Sequence, residues 1–353
     1  MFFTVEPQIR KRIVSETGLN IQASIIVPTI GRNSPLSKTL DSLIQHLESS
    51  KAIEILVVDN GISSEIRSIV ADASKKLSTP VRYLREHRPG LHHARHAGAA
   101  AAHGAVLIFI DDDVSVSENW LSTYLAAYED PGVSAAGGRI VPMWESAPPD
   151  WIDVVPHDYF SLLDFGIESR PLAGTESING CNYSIRRESL FNAGGFHPDS
   201  YSDPSMIWLR GDGEAGLIRK LRSRHEQIMY LADAEVGHRI PDDRLSIASL
   251  SRRAFAHGIE NGYTFARKRH CRAWSLAALY LIGISASLKL IPMYDIGSKT
   301  TKNTVRRKLA AARYRAIRSY AMRLARDPNL REHVVRTTYL EQPKSGAIRS
   351  RPQ

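Results

Sequence analysis

Four strand-like runs, each followed by a helix-period pattern, constrain this chain more than any other feature in it. Residues 22–28, QASIIVP, read as a short buried strand closed by Pro28, and PLSKTLDSLIQHLESS then sets Leu36, Leu40, Leu43, Ile44 and Leu47 on one helical face. The alternation returns in IEILVVD (53–59) before SSEIRSIVADASKKL, in VRYLRE (81–86) before LHHARHAGAAAAHG, and in AVLIFID (105–111). Near-continuous apolar strands are buried on both faces, so the pattern predicts βα crossovers and a mostly parallel sheet flanked by helices, an α/β fold.

Ligands of such sheets bind beyond the carboxyl ends of the strands, where loops and helix N-termini gather. There this chain places VPTIGRN, then Asp59-Asn60-Gly61, then REHRPG, and finally Asp111, Asp112 and Asp113 in a row. Three adjacent like charges need a positive partner. Alternate residues beyond a strand share a direction, so Asp111 and Asp113 can converge on one hard cation, Mg²⁺ or Mn²⁺, while Asp112 turns elsewhere. The competing reading is a solvated turn, with Ser117 capping the helix ENWLSTYLAAYED. The buried strand before the triplet, and a second acid ending a neighbouring strand, favour the cation. Further on stand INGCNYSIRRESLFNAGGF (178–196) and RGDGEAGLIRKLRSR (210–224), the latter a glycine-flanked acidic loop opening a helix.

With 353 residues, 43% of them hydrophobic, the chain can bury a sizeable core and carry an appendage. Its two cysteines, Cys181 and Cys271, have neither disulfide-framework nor metal spacing, which fits a reducing compartment. The opening MFFTVEPQIRKRIVSETG lacks a long apolar core behind its positive charges, so a cytoplasmic location is expected. The net charge of +9 belongs to one region: residues 266–326 hold 15 lysines and arginines against one acid, Asp295. Within it, residues 275–293 are mostly apolar but short for a membrane span, and a basic helix follows with Val305, Leu309, Ala312, Ala316, Tyr320 and Leu324 at helical spacing. Residues 275–326 are therefore expected to hold the chain on an anionic inner leaflet, the alternative being a helical appendage packed on the main domain. Little aromatic interleaving and no recognisable nucleic-acid fold argue against a nucleic-acid partner.

Taken in order, SIIVPTIGRN, LVVDNG, RPGLHHARHAGAAAAHGAVLIFIDDD, NGCNYSIRRESLFNAGGF, GDGEAGLIRKL and YLADAEVGHRI resemble family 2 glycosyltransferases of the GT-A fold across about residues 22–265. The resemblance implies a nucleotide-sugar half at 22–120 and an acceptor half at 121–265, between an N-terminal extension (1–21), the basic segment (266–326) and a loose tail (327–353). It implies a nucleoside diphosphate sugar donor, a glycan or lipid-linked acceptor, and a divalent cation. Pro28, Thr29 and Asp59 would surround the base and ribose, Arg95 would reach the nucleotide or its phosphates, and Asp111 and Asp113 would form the DXD metal motif, with Asp112 beside them. His238 would join the metal or the diphosphate. Asn182, Arg186 and Trp208 would shape the acceptor side, with Trp144 and Trp151 as further stacking candidates. Glu214 falls where the family's catalytic base stands. The family usually has an adjacent Glu-Asp pair there, whereas this chain splits its acids as Asp212-Gly213-Glu214, so base and helix cap are divided between them with Glu214 ahead. A single base opposite the leaving group would give in-line displacement with inversion.

Other classes fit less well. Asp111-x-Asp113-x-Ser115 matches a haloacid-dehalogenase-like phosphatase motif, but that motif belongs on a first core strand, not a fourth. A sugar nucleotidyltransferase needs a glycine-rich loop after strand one, where this chain has only Gly31. A non-catalytic membrane-binding protein would leave the ordered motifs without a purpose.

Overall fold

The computed structural model describes residues 21–47, 52–199, 210–288 and 301–340. Trp208 lies outside the described residues. A first βα series comprises β1 (Ala23–Thr29), α1 (Asn33–His46), β2 (Ile53–Asp59), α2 (Ile66–Lys76), β3 (Val81–Arg85), α3 (Leu91–Ala101) and β4 (Val106–Ile110). After it come β5 (Val114–Val116), α4 (Trp120–Ala127), β6 (Val133–Trp144), β7 (Arg170–Pro171), β8 (Asn182–Arg186), α5 (Arg187–Asn192), α6 (Gly213–Ser223) and β9 (Gln227–Ile240). Four helices close the described chain: α7 (Ile247–Lys268), α8 (Ala273–Leu288), α9 (Lys302–Arg326) and α10 (Pro328–Val335).

The sheet runs β3-β2-β1-β4-β8-β6-β9-β5, with β7 on β9. Its first four strands are parallel and β8 runs against both β4 and β6. Every residue of β1, β2 and β4 is buried, as their apolar runs require. The period of two divides them between layers. Ile25, Val27, Ile55, Val57 and Ile108 meet Leu36, Leu40 and Leu43 of α1 on one face, while Ile26, Leu56, Val58 and Phe109 meet Ala94 and Ala99 of α3 on the other.

The basic segment is the packed appendage, because α9 spends its apolar stripe on the protein. Val305, Leu309 and Ala312 join Val155, Phe160, Ile240 and Leu250, whereas Ala316, Tyr320 and Leu324 join Ile259, Tyr263, Leu276 and Leu279. Gly258 of α7 makes this approach possible, since a side chain there would run into the backbone of Arg313. The boundary expected at residue 265 falls inside α7, so the change of composition marks no structural border. Residues 327–340 are likewise not a loose tail. Asp327 caps α10 by accepting the Leu330 N–H at 3.0 Å, Leu330 and Val334 are buried, and the N–H groups of Tyr339 and Leu340 donate to the Gly194 carbonyl. Among the described residues, no helix is long and apolar enough to cross a membrane.

Candidate active site

The parallel register puts Thr29 opposite Asp59 at the carboxyl edge of the sheet, with Asp111 following β4 beside them. The aspartate triplet then carries the chain from β4 in the centre of the sheet to β5, which pairs with β9 so that Val114 lies opposite His238. This crossing brings His238, about 125 positions away, next to Asp113: His238 Nε2 stands 3.4 Å from Asp113 Oδ1.

The positive partners of the triplet on the protein are arginines. Asp112, buried, accepts from Thr29 Oγ1 at 2.5 Å and pairs with Arg32. Asp113 pairs with Arg32 Nη1 at 2.8 Å and Arg244 Nη2 at 3.3 Å. Among the described residues, Asp111 pairs with Arg95 Nη2 alone, at 3.5 Å. Burial opposes ionisation of Asp113, yet His238, Arg32 and Arg244 together hold its carboxyl well below the usual carboxylate range. Burial drives Asp111 the other way, up to about 6, against the pull of Arg95 and with Asp113 adding to the rise. Asp112 is also raised by burial, against Arg32 and Thr29.

The geometry fits a hard divalent cation. Asp113 Oδ1 is buried and accepts no hydrogen bond among the described residues. His238 donates from Nδ1 to the Phe160 carbonyl at 2.7 Å, and its Nε2 stands 3.4 Å from that bare oxygen and 3.4 Å from Arg244 Nη1. A buried carboxylate oxygen without a hydrogen bond, next to an imidazole nitrogen, is a donor set that suits such an ion. Among the described residues no three His, Cys, Asp or Glu side chains gather as a ready cage, so oxygens from a substrate would have to complete the shell.

Asp59 is fully engaged: Oδ1 accepts from Gly61 N at 3.0 Å, and Oδ2 from Tyr83 O–H at 2.8 Å and Arg85 Nη1 at 2.7 Å. Pro28 is buried in β1 beside Val58. Arg95 lies inside the protein, reached from α3, donating to the Gly180 carbonyl at 2.8 Å and standing 3.4 Å from Glu214 Oε2. Gly180 leaves room for it, since a side chain there would overlap the guanidinium. Glu214, in the first turn of α6, accepts from Gly180 N at 3.0 Å. Arg95 thus stands between two carboxylates, Asp111 and Glu214, whose side chains are each 26% exposed.

Asp212 contrasts with Glu214. It is 3% exposed and enclosed by His197 Nδ1 at 2.5 Å, Thr264 O–H at 2.8 Å and Arg219. It sits at the N-cap of α6 but makes no side-chain capping bond, so the cap expected of the acidic pair is absent.

Two acceptor-side expectations are corrected. Asn182 is completely buried, and its amide is saturated: Oδ1 accepts from Trp120 Nε1 and Tyr124 O–H, both at 2.9 Å, and Nδ2 donates to the Arg139 and Ala234 carbonyls. Nothing remains for a ligand. Arg186 pairs with Val106 at the opposite end of β4 from the site, where its guanidinium holds the carbonyls of Tyr128, Asp130 and Val133. Trp144 and Trp151 pack against the Val155 and Phe160 cluster. Sequence reasoning missed Arg32 and Arg244. The first follows Gly31 directly in the loop after β1, a local signal; the second has none, because only the pairing of β5 with β9 brings it to the triplet.

An α/β sheet whose carboxyl edge gathers a strand-end aspartate, an acidic triplet and a separate carboxylate at a helix start belongs to the open α/β class, whose ligands bind at a switch point of strand order. Residues 24–194, just under half of the chain, match the family described as Glycosyl transferase family 2, and the chain is a glycosyltransferase. It is 24% identical over 245 residues to a glucosyl-dolichyl phosphate glucuronosyltransferase of Haloferax volcanii, covering 67% of this chain and 75% of that one. Identity is also 24% to the succinoglycan biosynthesis protein ExoM of Rhizobium meliloti, over 70% of this chain and 77% of the relative. In fold it is similar to the mannosyltransferase PcManGT of Pyrobaculum calidifontis, solved with GDP-Man and Mn²⁺. The TM-score is 0.52 at 18% identity, over 84% of this chain and 86% of that one.

Proposed function

We propose that the chain transfers a sugar from a nucleoside diphosphate sugar to a glycan or lipid-linked acceptor in one metal-assisted, inverting displacement. The observation that carries this reading is the placement of Arg95 between Asp111 and Glu214, the partly open carboxylates at the ends of β4 and at the start of α6. Thr29 and Asp59 border the base and ribose, while Asp113, Asp111 and His238 hold the cation. When bound, a Mg²⁺ or Mn²⁺ ion neutralises charge on the departing diphosphate. Arg32 and Arg244 fix Asp113 by direct pairing, and Arg95 keeps Asp111 and Glu214 apart. Glu214 takes the proton of the acceptor hydroxyl as its oxygen bonds to the anomeric carbon and the bond to the diphosphate breaks. Asp212, sealed among three donors, supports the fold around α6.

The two relatives, a glucosyl-dolichyl phosphate glucuronosyltransferase and a succinoglycan biosynthesis protein, support an acceptor of the glycan or lipid-linked class. A peripheral seat on the inner face of a membrane is part of the proposal. Its supporting surface is on α8, where Trp274 and Leu281 stand exposed two turns apart on a helix without charges, next to Lys268, Arg269 and Arg272. The test of the reaction is a panel of UDP-, GDP- and dTDP-sugars with Mn²⁺. One donor should raise the thermal midpoint only with the metal, and the product should show inverted anomeric configuration by NMR. Retention, or equal stabilisation without metal, would contradict the proposal.

A further inference from the structure

Apart from the candidate active-site cleft at the carboxyl edge of the sheet, the terminal helices enclose a groove of their own. Helices α8 and α9 approach each other closely at Gly283, where a side chain would run into the backbone of Arg318. Toward the start of α8 and the end of α9 a groove of about 710 Å³ opens between them, with α10 at its end. Leu276, Ala277 and Tyr280 of α8 and Ala321, Met322 and Ala325 of α9 line it. Its volume lies within the roughly 300–1,000 Å³ of clefts that bury a small ligand. None of its lining residues belongs to the candidate active site.

The groove is apolar along its length and cationic at one end. No acid lines it, whereas Arg326, at the end of α9, and Arg331, in α10, both do. Neither has an ion-pair partner within 4.0 Å among the described residues; the adjacent acid, Asp327, is taken by Arg323 at 3.2 Å and by the Leu330 N–H. Arg331 is held in place by donating from Nη1 to the Leu324 and Ala325 carbonyls, at 2.6 and 3.0 Å. Ala277, exposed on the groove wall, lies one turn from Trp274 and from Leu281, which are 59% and 62% exposed, so the groove is continuous with the apolar face of α8. An apolar slot with cations at its end matches an amphiphile with an anionic head. The same cations oppose a second copy of this face, and they oppose residues 341–353, which carry Lys344, Arg349 and Arg351 against Glu341 alone.

We propose that the groove between α8, α9 and α10 binds one anionic phospholipid of the bilayer, with an acyl chain between the two long helices and the phosphate on Arg326 and Arg331. The assignment rests on the peripheral membrane seat proposed above and gives that seat a defined lipid site. The face carrying Trp274 and Leu281 enters the interfacial layer, and the groove beside it takes a chain from the same leaflet. Lipid tails are as apolar as the groove wall, so the chain contributes fit while the arginines choose the headgroup. Forked guanidinium donors suit phosphate oxygens, and a net negative head is favoured over a zwitterionic one.

Calorimetric titration of the full chain with lysophosphatidylglycerol below its micelle concentration tests the groove apart from any membrane, with lysophosphatidylcholine as the zwitterionic control. One lysophosphatidylglycerol should bind per chain, more tightly than the control. Arg326→Gln should weaken it about tenfold, as expected for one lost charge-assisted hydrogen bond, and Arg326→Lys should recover part of the loss. Ala277→Phe, whose ring would occupy the groove from an exposed position, should abolish binding of both lipids at an unchanged thermal midpoint. No binding by the parent, equal affinity for the two lipids, or equal binding by the parent, Arg326→Gln and Ala277→Phe overturns the proposal. So does a dimer that Ala277→Phe dissociates in the absence of lipid, which would give the groove to a second copy. Sedimentation with vesicles of two parts phosphatidylcholine to one part phosphatidylglycerol reads the membrane seat on the same samples. The double variant Trp274→Ser, Leu281→Ser should leave the vesicles and keep the monomeric lipid. Ala277-dependent binding of the monomer by a parent that stays off vesicles sinks the membrane seat and leaves the groove standing; pelleting that depends on Trp274 and Leu281 without monomer binding sinks the groove alone.

Discussion

The two sides of the cleft are built in opposite ways. On the proposed donor side, carboxylates at the ends of buried strands are met by protein cations: Asp59 by Arg85, Asp112 by Arg32, and Asp113 by Arg32 and Arg244. On the proposed acceptor side, no acid among the described residues pairs with Arg210 or with Arg253 of α7 within 4.0 Å, and Glu214 and Glu260 are partly open. A charge fixed by several partners keeps its geometry before the ligand arrives, which suits a cation and diphosphate that must be placed in line. Charges lacking partners have their interaction free energy still to be realised on binding, which suits a side that selects its substrate.

Three variants can break or sharpen that contrast. Asp113→Asn should have the largest effect: metal-dependent stabilisation by the donor should disappear and transfer should fall on the order of a hundredfold or more. If the donor still stabilised Asp113→Asn through Mn²⁺ as it does the parent, the metal seat would lie elsewhere. Asp212→Asn should act on the fold and not on the chemistry, costing about 2 kcal/mol in urea unfolding, because Arg219 and His197 lose the acid they surround. Abolished turnover with undiminished stability would instead make Asp212 the base. The smallest effect is expected of Glu260→Gln. Its parent carboxyl, normally near 4.5, is raised to about 7, so the stability linked to its protonation is full below pH 4.5 and is lost as pH rises through 7. The variant should melt with the parent at pH 5 and about 2 °C higher at pH 8. Parallel melting curves at both pH values would show that Glu260 is solvated like an ordinary acid.

The parts of the molecule legible in the sequence are those set by local period. The runs ending at Thr29, Asp59 and Ile110 are buried strands, and the stripe Val305, Leu309, Ala312, Ala316, Tyr320, Leu324 is buried throughout. That stripe could not name its partner, because an apolar face reads alike whether a bilayer or Leu250 and Tyr263 cover it. Asn182 looked like a ligand-binding amide since its saturation depends on Trp120, Tyr124 and two carbonyls that lie 43 to 62 positions away in the chain. Arg244, Arg253 and Glu260 escaped notice for the same reason. They follow β9 in the chain; Arg244 reaches the triplet only through the pairing of β5 with β9, and Arg253 and Glu260 take their places from the packing of α7. The acidic triplet itself was visible as an electrostatic problem. Its arginine partners were not, and they leave one buried oxygen of Asp113 bare where a cation fits.

The most direct test of the account is Glu214→Gln assayed with the donor identified by the panel. Turnover should drop by about 10²–10⁴-fold while the metal-dependent thermal shift produced by the donor stays at the parental value. Parental turnover in that variant would contradict the assignment of the proton-accepting base to the start of α6.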